Sequence, residues 1–113
     1  MKRVLVINDD ADFQFLMKTY LEKHGYVAHT VNDDVPIIPI VKEIKPHLIL
    51  LDVQVERDKA ICKELQEHGI VKDTRLVLLI DKEIPGNLEC TPDAIIEKPF
   101  QPQKFIGKIK ELL

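Results

Sequence analysis

The chain has 113 residues, 45% hydrophobic and 31% charged, with a formal net charge of -3 at pH 7. That length suits one packed domain over residues 1–113, and the composition excludes disordered and fibrous classes. The acidic balance leaves no basic footprint for nucleic acid, and the interspersed acids and bases make no charged tail.

No apolar run reaches about 18 residues and no signal-peptide pattern occurs, so the expectation is a cytoplasmic protein with no membrane partner. Cys62 and Cys90 fit neither a zinc spacing nor a Cys-x-x-Cys pair. They could form one disulfide, but the expectation for a cytosolic chain is two unpaired structural thiols.

Arg3 to Ile7, "RVLVI", is a short apolar run that reads as a buried strand. After Asp12, residues Phe13, Leu16, Met17, Tyr20 and Leu21 repeat at helical spacing, and "EKHGY" closes that helix with Gly25 as its left-handed cap. "YVAHTV" is a second, more weakly patterned strand. "NDDV" offers Asp33 or Asp34 as an N-cap for a helix carrying Ile37, Ile40, Val41 and Ile44. Pro36 suits a first turn, whereas Pro39 is costly any deeper, so this helix should start late or irregularly.

"HLILLD" is a third strand, apolar throughout, as a strand covered on both faces should be. Ala60, Ile61 and Leu65 mark a helix ending at "EHGI", and "RLVLLI" is a fourth strand. "DAII" is a short fifth strand, followed by "EKPF" and a last amphipathic helix with Pro102 in its first turn. His24 and His68 each precede a helix-ending Gly and read as capping residues rather than catalytic ones.

Alternating strands and helices argue for a doubly wound parallel sheet, with helices on both faces. Such sheets bind ligands beyond the carboxyl ends of their strands. Asn8, Asp9 and Asp10 follow the first strand, Asp52 the third and Lys98 the fifth. In the common order 2-1-3-4-5, Asp9 and Asp52 lie side by side. Two adjacent carboxylates raise each other's pKa unless a cation intervenes, and a hard ion with oxygen ligands such as Mg²⁺ suits them. Asp10 and Asp12 are read instead as helix-capping, solvated acids.

At these residues the chain resembles the receiver domain of bacterial response regulators. "VLVINDDAD" resembles the acidic pair after the first strand, "PHLILLD" the phosphoacceptor strand and "EKPF" the segment with the family's lysine and proline. The resemblance covers the chain from Arg3 to Leu113 and implies a flavodoxin-like receiver fold. It implies that Asp52 accepts a phosphoryl group from a histidine kinase, a phosphotransfer protein or a small donor. It also implies a weak Mg²⁺ site from Asp9, Asp52, the backbone carbonyl of Gln54 and, through water, Asn8. Lys98 would contact the phosphoryl group, and the Lys98–Pro99 bond would be cis.

The chain departs from the pattern in several places. Asn8 replaces an acid, Ile80 a Ser or Thr, and Ile95 a switch aromatic; "QVERDKA" after Asp52 lacks the usual Pro and Gly. "DKEIPGNLECTPD" has no helical stripe, so the fourth helix should be shortened or missing. The chemical half of the family pattern is therefore better kept than the half that relays it.

The expected function is that of a stand-alone receiver phosphorylated on Asp52, signalling to an unknown output protein by protein–protein contact and not acting as an enzyme. The alternative is a pseudo-receiver that binds partners without phosphorylation. A strand-end Asp-x-Asp phosphatase-like enzyme is disfavoured by Phe13 and the short chain, and a flavodoxin-type phosphate loop by the repelling charge of "NDDAD".

Overall fold

The computed structural model describes residues 1–81 and 88–113. In chain order the elements are β1 (Arg3–Ile7), α1 (Ala11–Lys23), β2 (Val27–Val31), α2 (Ile37–Ile44), β3 (Leu48–Asp52), α3 (Glu56–Glu67), β4 (Arg75–Ile80), β5 (Ala94–Glu97) and α4 (Pro102–Leu112). A short 3-10 turn, Ile70–Lys72, which the sequence pattern does not reveal, leads into β4. The five strands form one parallel sheet in the order β2-β1-β3-β4-β5, as expected.

Alternation along the central strands divides the core in two. Leu5, Ile7, Ile49, Leu51, Leu76, Leu78 and Ile80 pack against α2 and α3 through Ile37, Val41, Ile61 and Leu65. Val4, Val6, Leu48, Leu50, Val77 and Leu79 pack against α1 and α4 through Met17, Leu21, Phe105, Ile106 and Ile109. Every residue of β3 is buried, so this strand must be apolar on both faces until its last residue, Asp52.

Local chemistry sets the helix boundaries. Asp10 caps α1, its carboxylate accepting from the N–H groups of Asp12 at 2.9 Å and Phe13 at 3.3 Å. Gly25 leaves α1 at φ 89°, a left-handed turn that costs glycine little. The N-cap expected of Asp33 or Asp34 is not made: Pro36 is the N-cap of α2, without a side-chain hydrogen bond. Pro39 falls third in that helix, inside the first turn, where a missing N–H breaks no intrahelical bond. At the other end of α2, the Arg3 guanidinium donates to the carbonyls of Ile44 and Lys45, at 3.0 and 2.8 Å.

Two further expectations meet the structure here. Cys62 and Cys90 are not unpaired thiols: they are joined as a disulfide, with Cα atoms 5.5 Å apart. The fold brings the middle of α3 against the chain entering β5, a proximity that a sequence separation of 28 residues does not announce. The expectation of a shortened or missing fourth helix falls in part on residues 82–87, outside those described. Among the described residues, no helix lies between β4 and β5.

The packing predicts a contrast between two phenylalanines. Phe105 is 1% exposed between the sheet and α4, while Phe15 is 70% exposed on α1. Phe105→Ala should lose about 3–5 kcal/mol of unfolding free energy, and Phe15→Ala should stay within about 0.5 kcal/mol of the parent. Urea unfolding of the two variants measures both.

Candidate functional site

The carboxyl edge of the sheet collects polar groups from four loops. Asp52, the last residue of β3, is only 4% exposed, and Asn8, just past β1, is 3% exposed. The Asn8 side-chain amide donates to Asp52 Oδ2 at 2.6 Å, and the Gln54 side-chain amide donates to the same oxygen at 3.1 Å. Lys98 follows β5 and places its Nζ 2.8 Å from Asp52 Oδ1. The Lys98–Pro99 peptide bond is cis. The Lys98 backbone N–H also donates to the Ile80 carbonyl at 2.8 Å, which holds this turn against the end of β4.

Burial pushes the Asp52 carboxyl above the usual carboxylate range, the hydrogen bond and charge of Lys98 pull it down, and the negative charges of Asp81 and Asp9 add to the rise. Asp9 itself is exposed, so it faces the site edge from solvent rather than from the core. Asp81, directly after β4, is an acid that the sequence reading did not include. Its only signal was its place at the carboxyl end of a strand.

Other supports were equally silent in the sequence. Gln14 on α1 donates to the Asn8 carbonyl and, at 2.9 Å, to Asn32 Oδ1, tying α1 to the ends of β1 and β2. Asp58 accepts from the Gln54 and Val55 N–H groups at 2.8 and 3.0 Å, and so shapes the turn from Asp52 into α3. Asp33, 5% exposed, stands beside it with Arg57 Nε at 3.5 Å. A hydrogen bond with Asp58, then burial, pushes the Asp33 carboxyl upward.

The structure thus gathers Asn8, Asp52, Gln54 and Lys98 into direct contact and leaves Asp9 at the rim. Ile80 is buried at 4% exposure, and Ile95 on β5 is 43% exposed. Neither can donate a hydrogen bond to a group on Asp52.

A parallel sheet of this order, with a buried carboxylate at the end of its middle strand and a lysine reaching it from the fifth, is the architecture of a signalling receiver domain. The profile of the response regulator receiver domain matches residues 4–110, and the chain belongs to that family. It is 28% identical, over 99% of its length, to the alkaline phosphatase synthesis transcriptional regulatory protein PhoP of Bacillus subtilis, of which it covers 48%. It is 30% identical to the probable transcriptional regulator ycf27 of Porphyridium aerugineum, over 99% of this chain and 48% of that one. The chain therefore spans about half the length of these curated relatives.

Among solved structures, the signal receiver domain of a signal transduction histidine kinase from Syntrophus aciditrophicus matches with a TM-score of 0.88 and 24% identity, over 100% of this chain and 90% of that one. The chemotaxis protein CheY4 of Vibrio cholerae matches with a TM-score of 0.79 and 18% identity, over 100% and 99% of the two chains. Both show the fold. No helix among the described residues is long and apolar enough to cross a membrane.

The raised Asp52 pKa has a sign that can be tested. In the pH range between the ordinary value of 3.8 and the raised one, the folded state holds the proton more tightly than the unfolded state. Stability attributable to Asp52 therefore falls as pH rises through that range. Asp52→Asn should be more stable than the parent at neutral pH, with the gain shrinking as pH falls through that range and levelling off below 3.8. Urea midpoints across a pH series give the answer; a constant gap would contradict it.

Proposed function

We propose that this receiver domain is phosphorylated on Asp52 and passes the signal on by protein–protein contact. The observation that carries the reading is the Lys98 ammonium 2.8 Å from a carboxylate buried to 4% exposure, two groups 46 residues apart in the chain. In the transfer, an Asp52 carboxylate oxygen forms a bond to phosphorus while the bond from phosphorus to the donor breaks. The donor is a phosphohistidine nitrogen of a histidine kinase or phosphotransfer protein, or the carboxyl oxygen of an acyl phosphate. A carboxylate is a weak nucleophile, so the residues around it act by positioning and by offsetting charge. Lys98 is placed to exchange part of its contact with Asp52 for a phosphoryl oxygen. Asn8 and Gln54 orient the attacking carboxylate through the hydrogen bonds they donate.

Receiver domains as a class bind Mg²⁺ at the phosphorylation site, and the donor set here suits a weakly held hard cation. The charges of Asp81 and Asp9 push the Asp52 carboxyl upward, after burial and against the hydrogen bond and charge of Lys98. Among the described residues, no cluster of three or more His, Cys, Asp or Glu side chains stands ready for a metal. On the family pattern the ion would rest on Asp9, Asp52, the Gln54 carbonyl and water, with the water positioned by Asn8. Bound there, Mg²⁺ supplies neutralisation of the phosphoryl oxygens' charge.

The first test is direct. Incubated with acetyl phosphate and Mg²⁺, the protein should gain one phosphoryl group by intact mass. Asp52→Asn should abolish the gain, and excess EDTA should reduce it at least about tenfold, equivalent to about 1.4 kcal/mol in the barrier. Absence of any adduct with every donor tried would favour the phosphorylation-independent reading.

An exposed apolar surface next to the site supports the partner contact. Phe15 and Leu16, 70% and 65% exposed, line a groove on α1 with Phe13, Tyr20, Phe100 and Pro102. Phe13 and Phe100 lie shortly after Asp9 and Lys98 in the chain, so a partner seated there contacts the segments that lead away from the site. Leu16→Glu should slow phosphoryl transfer from a cognate phosphotransfer protein about tenfold or more while leaving acetyl phosphate labelling unchanged. Equal loss with both donors would place the defect in the chemistry rather than in docking.

Ile80 and Ile95 set the extent of the response. Ile80 offers no hydroxyl to a phosphoryl group and so lacks a charge-assisted hydrogen bond typically worth about 1.5–3 kcal/mol. Ile95 is β-branched and stiff at χ1. A modification shifts a protein only by its differential affinity for two states, and both usual sources of that difference are absent. Beryllofluoride should move backbone NMR signals at the Asn8–Asp52–Lys98 corner and few elsewhere; shifts spread across β4, β5 and α4 would sink the idea.

A further inference from the structure

We propose that Cys62 and Cys90 form a reversible thiol–disulfide clasp, set by disulfides of the glutathione class, that fastens the chain entering β5 onto α3. The proposal stands apart from the chemistry at Asp52.

Three contacts make the seam. Cys62 is fully buried on α3 and its Cα lies 5.5 Å from that of Cys90, within the reach of a disulfide. Lys63 Nζ lies 3.4 Å from Glu89 Oε2, and Gln66 Oε1 accepts from the Thr91 N–H at 3.1 Å. Residues 62, 63 and 66 share one side of the helix, because positions three and four apart fall on the same face. Leu88 and Cys90 also pack on the core that α3 covers.

These contacts are unequal. Lys63 and Glu89 are 51% and 61% exposed, and an ion pair so open to water adds little. The Gln66–Thr91 hydrogen bond is exposed as well. Among the described residues the sulfur–sulfur bond is the seam's strongest tie, and its redox state decides how firmly the strap of residues 88–91 is held. In a reducing compartment such pairs are typically transient and regulatory rather than permanent.

The exchange balances without further reagents. Cys62 is buried and Cys90 only partly so, which makes the Cys90 thiolate the nucleophile. It attacks glutathione disulfide, forms a mixed disulfide and releases one glutathione thiolate. The Cys62 thiolate then attacks the Cys90 sulfur and expels the second. Two electrons pass to the glutathione disulfide, and the two cysteine protons end on the two glutathione thiols. Reduced glutathione reverses both steps.

The full chain is equilibrated in glutathione buffers from fully reduced to fully oxidised, quenched with acid, alkylated and weighed, with hydrogen exchange followed on parallel samples. The two thiols should disappear together as the buffer becomes oxidising. Exchange in the peptide covering residues 88–93 should slow at least tenfold in the disulfide form. Cys90→Ser should hold that peptide at its reduced-state rate in every buffer; Cys90→Ala serves if the serine variant fails to fold, and the wild-type comparison needs neither. The proposal is overturned by two free thiols at every ratio, by a bond that excess dithiothreitol cannot reduce in the folded protein, or by equal exchange in both states.

Discussion

A carboxylate at 4% exposure cannot stay charged without compensation, and much of this molecule's polar architecture is arranged around that requirement at Asp52. Its two oxygens meet Lys98 on one side and the amides of Asn8 and Gln54 on the other. Removing Lys98 would leave the Asp52 carboxylate buried without its countercharge, a loss that typically costs about 3–5 kcal/mol. The segment that delivers Lys98 is therefore structural as well as chemical. Its backbone is tied to Ile80, and the strand before it completes the sheet. Burial pushes the Asp52 carboxyl upward in spite of the hydrogen bond and charge of Lys98.

The groups that support Asp52 are held from outside it. Asp58 shapes the turn after β3 by accepting two backbone N–H groups, and Gln14 ties α1 to the loops after β1 and β2. These contacts fix loops that would otherwise carry free backbone donors at the sheet edge. The relay side is built differently. Ile80 packs in the core and Ile95 is an exposed apolar residue, neither side chain making a polar contact, and the chain entering β5 is sewn to α3 by a disulfide, an ion pair and a hydrogen bond. Under the two proposals made above, phosphoryl transfer at Asp52 and thiol oxidation at Cys62 and Cys90 act at separate places in the fold.

Much of this was legible in the sequence because its signals are local and periodic. Strand–helix alternation and the apolar run ending at Asp52 determine a doubly wound sheet, since a strand buried on both faces admits no polar residue before its end. The placement of Asn8, Asp52 and Lys98 at strand ends then follows from topology. Gly25 and Pro102 mark helix boundaries through backbone geometry that needs no tertiary context. Tertiary structure alone decided the rest. Asp33 could have capped α2 by local rules, but it is buried near Asp58 and Arg57 instead. Gln14, Asp58 and Asp81 carry no motif, because each acts through a loop or strand end distant in sequence or specified only by the folded turn. Cys62 and Cys90 matched no spacing pattern; they meet because α3 packs beside the chain entering β5, and a distance of 5.5 Å between Cα atoms is a property of that packing alone.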